Sequence, residues 1–127
     1  MQSQLPLPTK EEILTTWSRA YLREKKLIPK VAGIYVLVSN REFVYIGTSR
    51  CLRKRICGNM TDHPITWLFP EPENYIGFTR FQEVIDYLDL EYKLEVYWWL
   101  MNNSEISRRY KLESALIKQF KPPLNKR

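Results

Sequence analysis

Two tyrosines, Tyr35 and Tyr45, end the tripeptide Gly33-Ile34-Tyr35 and begin the tripeptide Tyr45-Ile46-Gly47, with nine residues between them. On paired strands two phenols can sit side by side, where each hydroxyl can donate or accept a hydrogen bond. The same spacing serves ordinary cross-strand packing, and both uses stay open on this pair alone. Parity decides whether a shared phenol site can form. An odd loop, such as Ser39-Asn40-Arg41, sets Tyr35 opposite Tyr45 with both rings on one face. An even loop sends them to opposite faces of the sheet. A phenol site therefore requires the odd loop, with Asn40 or Arg41 supplying the turn's unusual backbone angles.

Three further residues carry chemistry. Arg55 lies three after Leu52, so a helix that buries Leu52 tilts Arg55 toward the sheet edge near the tyrosines. There a guanidinium can grip a phosphate through two hydrogen bonds and stabilise charge that builds on it. The alternative is a solvated arginine among Arg50, Arg53 and Lys54, three cations that serve solubility or contact a nucleic-acid backbone. Glu113 falls on an apolar helical stripe of Ile106, Tyr110, Ile117 and Phe120. A carboxylate there costs free energy unless it is paired or holds a cation. Arg109, four residues earlier, offers the pairing; a Mg²⁺ ion that keeps most of its waters offers the other solution. Asn125, behind Pro122 and Pro123, is placed to orient a neighbour through its amide, or simply to form a turn.

The elements that must position these residues follow from local signals. Thr9 and Glu12 form a capping box, and Ile13, Leu14, Trp17, Ala20, Tyr21 and Leu27 continue it as a helical stripe until Pro29. Gly33 to Val38 and Phe43 to Gly47 are expected as strands, joined by Ser39 to Glu42. Ser49 is the expected cap of a short basic helix that runs to about Cys57 and stops at Gly58. Residues 59–72, with three prolines and His63, are expected as loop, 75–78 as a weak strand and 81–88 as a helix. Lys93 to Leu100 alternates, with Leu94, Val96, Trp98 and Leu100 on one face. Ser104 to Phe120 is a helix closed by Pro122 and Pro123. The sum is an α+β domain, a small antiparallel sheet flanked by helices, with an added N-terminal helix.

Composition sets the setting. The chain of 127 residues suits one domain, in which residues 1–30 form a tail and extra helix and 31–125 the core. Twenty Lys and Arg against fourteen Asp and Glu give a net charge of +6, which favours an anionic partner. Cys51 and Cys57 are six apart and face different ways on a helix, so they are expected to be reduced. No apolar leader or spanning run is found, and a soluble, cytoplasmic protein with no membrane partner is expected, nucleoid-associated if bacterial.

Taken in order, Gly33-Ile34-Tyr35, nine residues, Tyr45-Ile46-Gly47, Arg55, Glu113 and Asn125 resemble the GIY-YIG nuclease family over residues 31–125. The resemblance implies a divalent-metal-dependent endonuclease that hydrolyses DNA phosphodiesters with one Mg²⁺ or Mn²⁺ ion. It implies that Tyr35 activates water, directly or through a neighbour, and that Tyr45 positions the site. It implies that Arg55 holds the scissile phosphate, Glu113 the metal, and that Asn125 braces the site. Gly33 and Gly47 are expected to let backbone and phosphate come close, with Ser49, Arg50, Arg53 and Lys54 on the nucleic acid beside Gly47. The chain departs from the family where a histidine or tyrosine often follows the arginine, here Asn59, and at Thr48, where some members have lysine. His63 is the only histidine to stand in. A non-cleaving nucleic-acid-binding module on the same fold is the alternative, and a targeting partner or a homodimer is left open.

Overall fold

A computed structural model describes residues 7–57, 86–90 and 93–126. The expected helix stop at Gly58, the loop with Asn59 and His63, the strand at 75–78 and the start of the helix at 81–88 lie outside the described residues. Thr9 caps helix α1 (Lys10–Thr16) through the reciprocal bonds expected: its hydroxyl accepts from the Glu12 N–H and the Glu12 carboxylate accepts from the Thr9 N–H, both at 3.1 Å. The helix then ends far short of Pro29. Trp17 leaves the helical region (φ −73, ψ 152), and strand β1 (Ser18–Tyr21) begins. The stripe that continues past Trp17 is therefore not helical. Ala20 is buried from its place in strand β1, and Ile13 because it packs with Ile34, Val36 and Ile46.

The two strands of the hairpin are β2 (Gly33–Ser39) and β3 (Glu42–Ser49). Helix α2 (Leu52–Cys57) follows, then a helical turn at 86–90 and strand β4 (Leu94–Leu100). Helix α3 (Ile106–Phe120) ends at Lys121, whose φ of 48 closes the last turn with an N–H bond of 2.7 Å to the Ile117 carbonyl. A last short 3₁₀ turn, Pro123–Lys126, carries Asn125.

The four strands stand in the order β1-β4-β2-β3, each antiparallel to its neighbour. Both faces are covered. On one, Tyr35, Leu37, Leu94, Val96 and Trp98 pack with Leu52 and Ile56 of α2 and with Leu88. On the other, Ile34, Val36, Ile46 and Tyr97 pack with Ile13 and Trp17, and with Leu116 of α3. Such two-faced burial explains the near-continuous apolar run of β2. No helix among the described residues is long and apolar enough to cross a membrane.

The expected odd loop is corrected. The turn has two residues, Asn40 and Arg41, both left-handed at φ 52 and φ 65. That is the twist a two-residue hairpin turn demands. An even loop should have separated the tyrosines, and a bulge restores them. Ser39 pairs with Glu42 and Val38 with Phe43, but Leu37 pairs with Tyr45, leaving Val44 as the extra residue. Without it Tyr45 would lie opposite Val36 and face the α1–α3 layer. With it, Tyr45 moves to the face of Tyr35.

Candidate active site

The bulge puts the phenols diagonally rather than directly opposite. Tyr35 pairs with Gly47 and Leu37 with Tyr45, so the two rings lean toward each other with centroids 6.0 Å apart and planes at 44°. Gly47 makes room for this. A Cβ there would lie 2.7 Å from both Cζ and Oη of Tyr35 and 2.8 Å from Cε2 of Tyr45. The absent side chain is therefore occupied by the phenols. Gly33 serves the sheet instead: a Cβ there would meet the Trp99 carbonyl oxygen at 2.6 Å. Among the described residues, what both glycines make room for is packing within the protein.

Tyr35 is fully buried and Tyr45 is half-buried. Burial pushes the Tyr35 hydroxyl far above its ordinary range, Tyr45 and Glu113 push it the same way, and Arg55 pulls it back. At neutral pH it keeps its proton. Direct abstraction of a proton from bulk water by Tyr35 does not fit this setting, and Tyr45 is the phenol that water can reach.

Arg55 comes to the phenols from α2. Leu52 and Ile56 bury one side of that helix against the sheet, and the turn between them delivers Arg55, half-buried, to the tyrosines. Burial works against its charge, but hydrogen bonds and attraction to Tyr35 and Tyr45 prevail and hold its pKa above the ordinary value. The expected cap at Ser49 is corrected: β3 runs through Ser49, and α2 starts at Leu52. The Ser49 hydroxyl instead turns the chain, accepting from the Cys51 N–H at 3.0 Å and donating to the Cys51 carbonyl at 2.8 Å. Arg50 and Lys54 are exposed. Arg53 is committed to the backbone, donating to the carbonyls of Ile28 at 2.7 Å and Lys26 at 3.0 Å.

Glu113 stands half-buried on α3. The buried stripe of this helix is not the one expected. Ile106 and Tyr110 are exposed, whereas Arg109 and Leu116 are buried, with Leu112, Ile117 and Phe120 packed beside them. Glu113 lies within that stripe. Arg109 is not its ion-pair partner: among the described residues no ion pair within 4.0 Å joins them, and Arg109 donates to the Met101 carbonyl at 3.2 Å. Arg109 was missed as a core residue, although its spacing to Leu112, Leu116 and Phe120 is helical. Burial raises the Glu113 pKa and the charge of Arg109 lowers it, with a net rise.

A half-buried carboxylate with no hydrogen-bond partner among the described residues fits a hard divalent cation. No group of three His, Cys, Asp or Glu gathers among the described residues, so Glu113 would be the single protein carboxylate of such an ion. Asn125 completes the set from outside the sheet. Its Oδ1 accepts from the Ile46 N–H at 2.8 Å, and its Nδ2 donates to the Ile46 carbonyl at 2.9 Å. The amide thus acts as one rung of a further strand on the edge of β3, fixing the residue between Tyr45 and Gly47.

A scan against family models and a search of curated proteins find no match. Among solved structures, the chain is similar to the GIY-YIG N-terminal endonuclease domain of UvrC from Thermotoga maritima bound to its catalytic divalent cation, magnesium. That likeness has 24% identity and a TM-score of 0.47, and covers 81% of this chain and 93% of that one. Two point mutants of the same domain, also bound to the catalytic divalent cation, show 23% and 24% identity. Their TM-scores are 0.47 and 0.45, with 81% of this chain covered in each and 93% and 92% of theirs.

Proposed function

We propose that the chain is a divalent-metal-dependent endonuclease that hydrolyses phosphodiester bonds in DNA. The observation that supports this best is a pair of charges that both act on the buried Tyr35: one carboxylate, Glu113, half-buried without a hydrogen-bond partner among the described residues, and Arg55, hydrogen-bonded to Tyr35 and Tyr45. The net charge of +6 supports an anionic substrate.

Arg55 binds the scissile phosphate, its fork already oriented by the phenols so that little side-chain freedom is lost on binding. As water adds to phosphorus and one bridging P–O bond breaks, the guanidinium stabilises the negative charge on the non-bridging oxygens. Tyr45 Oη, the accessible phenol oxygen, accepts a hydrogen bond from the attacking water and directs it in line, and the proton that water gives up ends on the departing oxygen. Tyr35, protonated and buried, holds Arg55 in place and acts on water only through that neighbour. A divalent ion on Glu113 would supply Lewis-acid polarisation of a phosphate oxygen. Asn125 acts on the site only through the backbone of Ile46. The reading also places the protein in the cytoplasm, consistent with a free thiol at Cys51.

The test is nicking of supercoiled plasmid in Mg²⁺ or Mn²⁺ by the wild type, Glu113→Gln and Tyr45→Phe. Glu113→Gln should lose about 10²-fold or more, as loss of a group that stabilises transition-state charge does. Cleavage by all three at equal rates would overturn the assignment. DNA binding without cleavage by any would favour the non-cleaving module.

A further inference from the structure

A second basic feature lies along α2, beside the face that carries Arg55. A cleft of about 500 Å³ is lined by Lys25, Lys30, Cys51, Arg53 and Lys54, four cations with no carboxylate among the described residues of the lining. Among the described residues, Lys25, Lys30 and Lys54 form no ion pair within 4.0 Å. The cleft is also built to stay in shape. Arg53 donates to the carbonyls of Lys26 and Ile28, while the N–H groups of Leu52 and Arg53 donate to Val31 at 2.9 Å and Pro29 at 3.1 Å. These bonds fasten the segment before β2 onto α2 and hold like charges together, an arrangement that costs free energy until an anion arrives.

We propose that this cleft carries the phosphodiester backbone of the DNA strand whose scissile phosphate lies at Arg55, a reading that rests on the endonuclease function proposed above. Lys54 and Arg55 are consecutive on α2, so one helix presents a cation to the cleft and another to the tyrosines. With side chains a helix is about 10–12 Å across. That spans about three phosphates at 3.4 Å of rise along a strand. The spread of the charges favours an extended polyanion over a single small anion, because no buried donor focuses them on one point. Lys25 and Lys30 belong to the segment before residue 31, outside the stretch that carries the tyrosine, arginine and glutamate pattern. The added N-terminal segment thereby becomes part of the substrate-binding surface.

The test uses Lys25→Ala/Lys30→Ala and the wild type, with fluorescence-labelled DNA in a chelator so that no cleavage occurs. The lysines are exposed, and a melting curve checks that the variant is folded. Each lost phosphate contact should remove about 0.9 from the slope of log K against log salt, so the variant's slope should be shallower by about two. At 0.15 M salt the same relation gives binding about 30-fold weaker. A second readout needs no variant: saturating DNA should slow alkylation of Cys51, followed by peptide mapping. Unchanged slope and affinity would overturn the proposal, even if Cys51 were protected, because Lys25 and Lys30 would then lie off the path. A wild type that nicks plasmid while the variant binds equally well sinks this inference alone. A wild type that neither binds nor nicks removes it together with the endonuclease reading.

Discussion

Gly47 faces the ring of Tyr35, and a Cβ added there would stand 2.7 Å from Tyr35 Oη and 2.8 Å from the ring of Tyr45. Tyr35 has no room to retreat, because it is fully buried and pairs with Trp98 on its other side. Gly47→Ala should therefore push both phenols off Arg55 and cost about 1–3 kcal/mol, the usual range for overpacking. Gly33→Ala is the informative companion. Its Cβ would collide with the Trp99 carbonyl and not with a phenol, so it should lower stability with less effect on cleavage per folded molecule. Melting curves together with plasmid nicking check this, and a Gly47→Ala protein that melts and cuts like the wild type would refute the packing role. The sequence showed which residue types gather here, since tyrosine, arginine and glutamate stand out from their surroundings. It did not show that the glycine's space is filled by a ring, because that contact depends on the register of two strands.

The hairpin shows at the scale of elements what a sequence reveals and what it hides. Its β-branched strands and the place of its turn within Ser39 to Glu42 are local properties and were legible, whereas the two-residue length of the turn was not. The bulge at Val44 was not, because what fixes it is the demand that Phe43 and Ile46 face one layer while Val44 and Tyr45 face the other. The strand Ser18–Tyr21 was hidden for a related reason. Ile13, Trp17 and Ala20 fit a helical period, yet pairing with β4, including Arg19 on Glu95 at 2.8 Å, draws the chain into the sheet from 76 residues away. The turn itself yields a prediction. Asn40 tolerates a left-handed backbone, but Arg41 at φ 65 bears a cost of about 1–2 kcal/mol that glycine would not. Glycine's greater freedom in the unfolded chain offsets about 0.5–1 kcal/mol of that gain. The ion pair of Arg41 with Glu11 at 3.6 Å is exposed on both sides and contributes little. Arg41→Gly should therefore stabilise the protein by up to about 1 kcal/mol in denaturant unfolding, and a lower midpoint would show that the turn is not strained.

On the scale of the whole molecule, a buried charge outside the candidate site bears on stability alone. Asp89, in the helical turn at 86–90, meets Arg23 at 3.0 Å, but its side chain is 1% exposed, whereas that of Arg23 is 45% exposed. Its Oδ1 has no hydrogen-bond partner among the described residues. Burial raises the Asp89 pKa, and the attraction of Arg23 does not fully compensate. The direction fixes the sign. A carboxyl whose folded pKa lies above its unfolded value contributes its full stability below about pH 3.9 and loses it as pH rises through the folded value. At neutral pH the ionised Asp89 thus weakens the fold despite its ion pair. Asp89→Asn keeps the shape, removes the buried charge and leaves an Arg23 that water can reach, unlike the strongly destabilising case in which a buried partner is orphaned. The variant should melt above the wild type at pH 7, with the difference shrinking toward zero as pH falls below about 3.9. A variant that melts lower at pH 7 and regains parity in acid would show that the ion pair outweighs the burial of Asp89.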